Sequence, residues 1–185
     1  LVYTSKKYNT KSKIAVVGEE LYGARVSSSF NIIGNTSEFI FTLEFLNPKY
    51  TEKKYLKESL NYLYEILFNP NVENNAFQKE YFDIQIKDIT AQVESIKDKP
   101  NMFASIEYAK KMYKGTSGEH FVLPTVEEIK KLTPEKLYEE YLKLFSGIYK
   151  TDVVVYGELD EDTEKEVSKA FTKLNSSNEE IDIEV

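Results

Sequence analysis

The chain has no cysteine, one histidine and one arginine. Without cysteine there are no disulfides, thiol nucleophiles or thiolate metal ligands, and the redox compartment stays open. With His120 as its lone imidazole, the chain cannot assemble an H-x-x-H or H-x-x-E-H zinc site from its own residues. Arg25 is one of 24 basic residues, the rest being lysines scattered among glutamates. That is a poor footprint for a nucleic-acid partner, whose phosphates and base edges favour clustered arginine. No apolar run reaches the roughly 18 residues of a membrane span, and LVYTSKKYNTKSK lacks the charged-then-apolar order of a secretory leader. The chain begins without Met, so it is expected to be cut from a longer one.

What is there suits a folded domain. Of 185 residues, 41% are apolar and 14% aromatic, enough for a real core at a net charge of -7. The longest periodic stretch is Asn71 to Lys99, with Phe82, Ile86, Ile89, Val93 and Ile96 at single-stripe helical spacing. It predicts one long helix with a core-facing side, capped at Asn71 or Glu73 and stopped by Pro100. Lys79, Glu80, Asp83, Lys87, Gln92 and Glu94 occupy its polar face.

The other elements follow in order. Ser12 to Leu21 reads as a short helix with Ile14, Val17 and Leu21 inward and Gly23 as its stop. Two period-two runs come next, Ala24, Val26, Ser28, Phe30 and Ile32, then Phe39, Phe41, Leu43 and Phe45. Gly34-Asn35 between them predicts an antiparallel hairpin. A helix opening at Thr51 or Glu52 carries Leu56, Leu60, Leu63 and Leu67 as far as Asn69-Pro70. Met102 to Tyr113 forms another, with Ile106, Ala109 and Met112 inward, followed by a loop, Gly115 to His120. Thr125-Val126-Glu127-Glu128 has the form of a capping box, and Pro134 stands at a first helical position ahead of Leu137, Tyr141 and Leu144. Thr151 to Gly157, TDVVVYG, predicts a buried strand. A last helix to Leu174 carries Val167, Ala170 and Phe171. Strands, helices, a returning strand and a helix describe an α+β domain over 1–175, a mostly antiparallel sheet with helices on one face, and 176–185 starts a linker.

In order and spacing these phrases resemble the pitrilysin/insulinase-type zinc peptidases, the inverzincins. The likeness is carried by KKYNTKSK before the first helix, Leu21-Tyr22-Gly23-Ala24, and Leu67-Phe68-Asn69-Pro70 with Phe77 and Glu80. Thr125 to Glu135 and Val153-Val154-Val155-Tyr156-Gly157 extend it. It covers nearly the whole chain and implies a half-domain of that fold, truncated at its N-terminus, of a cytoplasmic bacterial member of the non-catalytic kind. Active members hold zinc through H-x-x-E-H and a later glutamate. By this alignment the motif would precede Leu1 and the third ligand would fall at Gln92, whose neutral amide is a weak zinc donor. Where active members carry Asn-Ala to hold substrate, Val26-Ser27 stands here. No catalytic residue, metal ligand or cofactor is therefore expected in this chain. Val26, Ser27, Ser28 and Ser29 are the candidate peptide-binding residues, on a sheet edge that in the family receives an extended peptide.

The implied partners are peptides and a catalytic homologue, either a separate subunit or a second half of the same chain, with no nucleic acid and no membrane span. Strands absent before Leu1 would leave an exposed edge, so self-association is expected. Two other functions remain. The parent could be an active zinc endopeptidase with H-x-x-E-H upstream and Glu94 as third ligand, or the fold could serve as a structural assembly subunit. Glu80, Glu94 and His120 read otherwise as surface groups, Ser27 to Ser29 as an alternating strand run rather than a nucleophile.

Overall fold

The computed structural model describes residues 2–33, 36–51, 55–116, 124–158, 160–172, 174 and 176–177. Its contacts divide into two units. One gathers the described residues of Leu1–Ser29, Phe39–Val72 and Tyr141–Glu179, the other those of Phe30–Glu38 and Glu73–Glu140.

The first unit is built around α2, Leu56–Phe68, rather than around the stretch with the longest apolar period. Seven of its thirteen residues are buried, the expected Leu56, Leu60, Leu63 and Leu67 together with Ser59, Tyr62 and Ile66. Full burial of one such aliphatic side chain contributes about 1.5–3 kcal/mol, so this face outweighs any other element. The helix starts at Leu56, later than Thr51 or Glu52, after an uncapped Tyr55. Asn69 ends it, with its backbone N–H donating to the Glu65 carbonyl.

Three elements lie on α2. The first, α1, runs Lys11–Glu20, capped by Thr10 rather than Ser12 because the Thr10 hydroxyl accepts from the Lys13 N–H. Its Ile14 and Val17 pack against the core of Leu21, Ala24, Tyr62 and Ile66. Gly18 is what lets it come close: a Cβ there would stand 2.5 Å from the Ala24 carbonyl oxygen. The Tyr62 hydroxyl donates to the Ile14 carbonyl at 3.0 Å, and burial raises its pKa. The second element is the hairpin of β1, Arg25–Ile33, and β2, Thr36–Glu44. Its Val26, Leu43 and, just beyond, Phe45 reach the core, whereas Ser28 and Phe30 on the expected inner face are exposed, as is Phe39. Gly34-Asn35 lies outside the described residues. The third, α7, Glu161–Phe171, sets Val167 against Leu56 and Leu60.

A polar clasp holds the N-terminal segment to the end of α2. Glu65 accepts from the Ser5 hydroxyl at 2.9 Å, the Lys7 N–H at 2.8 Å and the Asn69 amide at 2.9 Å. Ser5 is fully buried and accepts in turn from the Tyr8 N–H. A buried hydroxyl with both roles filled carries no desolvation penalty.

The buried strand expected at Thr151 to Gly157 does not form. No strand pairs with this run among the described residues, and Val154 and Tyr156 are 80% and 79% exposed. A β-branched run supplies the tendency to extend, but a ladder needs a neighbouring strand. Ser176 and Ser177 lie beside its start, Thr151 donating to the Ser176 hydroxyl and the Ser177 N–H to the Tyr149 carbonyl, both at 2.9 Å. The rest of the expected linker, 178–185, is outside the described residues.

In the second unit the single helix expected over Asn71 to Lys99 is interrupted. Val72–Glu73 and Ala76–Phe77 pair as β3 and β4 through Asn74 and Asn75, at φ 52° and 60°. Two consecutive left-handed residues make the tight hairpin turn for which asparagine is suited, and neither can belong to a right-handed helix. Helix α3 therefore starts at Lys79 and ends at Ser95, followed by a 3-10 turn, Ile96–Asp98. None of its residues is buried: Phe82, Ile86, Val93 and Ile96 are half-buried and Ile89 is 39% exposed. Pro100 opens α4, Pro100–Met112, rather than only ending what precedes it, since a proline costs no hydrogen bond in a first turn. Here Ile106 and Ala109 are half-buried but Met112 is exposed. The short α5, Val126–Ile129, carries the full capping box and buries Ile129. Pro134 begins α6, Pro134–Leu144, with Tyr138 set edge-on to Phe77, and Leu137, expected inward, exposed.

The molecule is thus α+β, with small antiparallel hairpins and seven helices among the described residues. In place of one layered sheet, the described strands form two separate pairs.

Candidate functional site

The outer edge of β1 is the candidate. Among the described residues β2 is the sole strand paired with it, and an edge strand is where a further strand can add. Val26 is half-buried in the first core cluster and anchors the strand from behind, while Ser27, Ser28 and Ser29 are exposed. Exposed Phe30, further along β1 beyond the serines, lends the strand an aromatic surface. Short hydroxyls beside an open backbone edge suit a ligand that is read by its main chain, because they neither crowd it nor demand a particular side chain.

Gln92 sits on the last turn of α3 with its side chain exposed, and its carbonyl accepts from the Ser95 hydroxyl at 2.8 Å. The two nearby carboxylates do not complete a donor set with it. Glu94 lies two residues on, about 200° around the helix, and Glu80 stands about 18 Å back along the axis. Among the described residues no three His, Cys, Asp or Glu side chains come together as a metal-holding group. Among the described residues, Gln92, Glu80 and Glu94 thus do not share one face as a donor set. His120 lies outside the described residues.

Two features were not anticipated from the sequence. The Glu65 clasp joins residues 58 and 60 positions apart, a separation no local pattern encodes. The second is a cleft of about 290 Å³ between Val153 and Val155 on one side and Glu164, Val167, Ser168 and Phe171 of α7 on the other.

No family model matches the chain. It is similar to a probable inactive metalloprotease, YmfF, of Bacillus subtilis, at 28% identity over 146 residues, which is 77% of this chain and 34% of that protein. It is also similar to the crystal structure of a conserved protein from Enterococcus faecalis, with a TM-score of 0.72 and 25% identity, again covering 77% of this chain and 34% of the other. The chain spans about a third of the length of each. No described helix is long and apolar enough to cross a membrane.

Proposed function

We propose, from the likeness to a protein named a probable inactive metalloprotease, that this chain is part of a non-catalytic zinc-peptidase-like protein of the pitrilysin/insulinase type. In this reading it binds extended peptides along the outer edge of β1 and works beside a catalytic homologue. The observation that carries it is the amide of Gln92, exposed on α3 where the resemblance expects a glutamate ligand, with no cluster of acidic or imidazole donors around it among the described residues. A carboxamide oxygen lacks the charge that makes carboxylate a zinc ligand. An open edge at Val26 to Ser29 would still offer main-chain hydrogen bonds to a peptide, so binding can outlive catalysis on the same scaffold.

The test combines metal, peptide and partner. The purified polypeptide, dialysed with zinc, is expected to retain far less than one equivalent and to leave a fluorogenic peptide intact. A labelled extended peptide is expected to gain anisotropy on binding, and addition of the polypeptide to a catalytic zinc-peptidase homologue is expected to change its turnover. Tight one-to-one zinc uptake with unaided cleavage would overturn the non-catalytic reading. Unchanged anisotropy and unchanged turnover together would overturn the binding and partner roles.

A further inference from the structure

The turn between α1 and β1 holds the one bulky side chain that stands on left-handed backbone among the described residues. Tyr22 has φ 59° and Gly23 follows at 79°, whereas the other non-glycine residues of that kind are Asn74 and Asn75. A Cβ makes this conformation costly, and such strain persists only where the surroundings over-determine it. Leu21 is the cap of α1, and glycine is the usual resident of the position just past a helix cap, so a tyrosine there asks for a reason. Gly23 cannot be what locks the turn. Without a Cβ it takes either sign of φ, and no described atom stands within 4 Å of where its Cβ would be. The Tyr22 ring can: it meets the Tyr55 ring edge-on with centroids 4.8 Å apart, and Tyr55 in turn packs against the core of Leu21, Ala24, Tyr62 and Ile66.

We propose that Tyr22 is a positioning residue for the peptide edge on β1, a role that rests on the peptide-binding reading of that strand. Its ring, lodged on Tyr55, holds the left-handed turn that sets the phase of the strand. Side chains alternate along a strand, and Ala24 is buried and Val26 half-buried while Arg25 and Ser27 are exposed. A slip of one residue would bring Arg25 and Ser27 to the core side. Backbone groups alternate as well: in a strand paired on one side, successive residues turn their N–H and C=O to the neighbour and then away from it. Phase therefore selects which of Ser27, Ser28 and Ser29 can bond a ligand through the main chain. The residues flanking the turn are already fixed. Leu21 and Ala24 are buried, and the Ala24 N–H donates to the Leu21 carbonyl across the turn at 3.3 Å. The Ala24 carbonyl sits over Gly18, where a Cβ would stand 2.5 Å away. Between these points Tyr22 and Gly23 are the residues whose backbone could flip, and the Tyr22 ring is the group that stops it.

In the otherwise unchanged 185-residue chain, Tyr22→Gly removes both the ring and the strain, and Tyr22→Phe keeps the ring. The probe is a fluorescein-labelled peptide of alternating threonine and valine, read by anisotropy. Tyr22→Gly is expected to weaken binding by about tenfold, as lost preorganisation does. Its urea midpoint is expected to stay close to that of the unmodified chain, because glycine relieves the left-handed strain as the ring contact goes. Tyr22→Phe is expected to bind as the unmodified chain does, since the edge-on contact needs no hydroxyl. Tyr55→Leu, which leaves apolar packing and takes away the ring partner, is expected to weaken binding to a similar extent, and the double variant to add little to either. A tyrosine with a structural role alone would shift the midpoint and leave affinity in place. Undiminished affinity in Tyr22→Gly, or an equal loss in Tyr22→Phe, would overturn the positioning role alone. No anisotropy change with the unmodified chain would overturn the reading of β1 itself, and this role with it.

Discussion

At the residue scale, Gly18 and Glu65 carry more than their surroundings. Gly18 stands inside α1, where glycine is about 1 kcal/mol worse than alanine by helix propensity alone. Its lack of a Cβ admits the Ala24 carbonyl, which a Cβ would meet at 2.5 Å. That neighbour is backbone and cannot swing aside. Gly18→Ala is therefore expected to lower stability by about 1–3 kcal/mol, as overpacking does, and a rise in urea midpoint would refute the close approach. Glu65 satisfies three donors from positions 5, 7 and 69, and Gln92, conspicuous in the sequence, has an exposed side chain and a carbonyl that accepts from the Ser95 hydroxyl. Neither role was legible. Chain separation hid the first, and a glutamine in a helix looks the same whether or not it stands at a former metal position.

At the scale of elements, local chemistry was most readable where it is self-contained. The capping box of α5 formed as its four residues specify: the Thr125 hydroxyl accepts from the Glu128 N–H at 3.2 Å, and Glu128 accepts from the Thr125 N–H at 2.8 Å. The Thr125 backbone and then its hydroxyl hold the Glu128 carboxyl below the usual glutamate range. A lowered folded pKa means that the contribution is complete above the ordinary value and is lost as pH falls through the folded one. A carboxyl titration followed by NMR is expected to find Glu128 protonating below pH 4.5. Thr125→Ala should move the midpoint partway back, since the backbone donor remains, and cost about 1 kcal/mol. An unmoved midpoint would contradict this account. The interruption at Asn74-Asn75 was also written in the sequence, as a pair of residues that tolerate left-handed backbone. The apolar period after it masked the signal, because a stripe says nothing about where its helix begins.

At the scale of the molecule, the two units differ in how much they bury. In the first, α2 alone contributes seven buried residues, whereas α3 and α4 in the second contribute none. Opening free energy follows burial of this kind. Amide exchange is accordingly expected to be slowest along Leu60 to Leu67 and at least tenfold faster through α4, and uniform protection would argue against such a division. From the sequence by itself came the α+β class, the leucine face of α2, the break at Asn69-Pro70 and the cap at Thr125. All of these depend on neighbours within a few positions, where period and cap chemistry act directly. Tertiary structure alone decided which stripe became the centre of a core, that Thr151 to Gly157 pairs with no strand among the described residues, and that Ser5 would be buried under a carboxylate 60 residues away. Burial and strand pairing are properties of what lies opposite, and what lies opposite is not encoded in the segment itself.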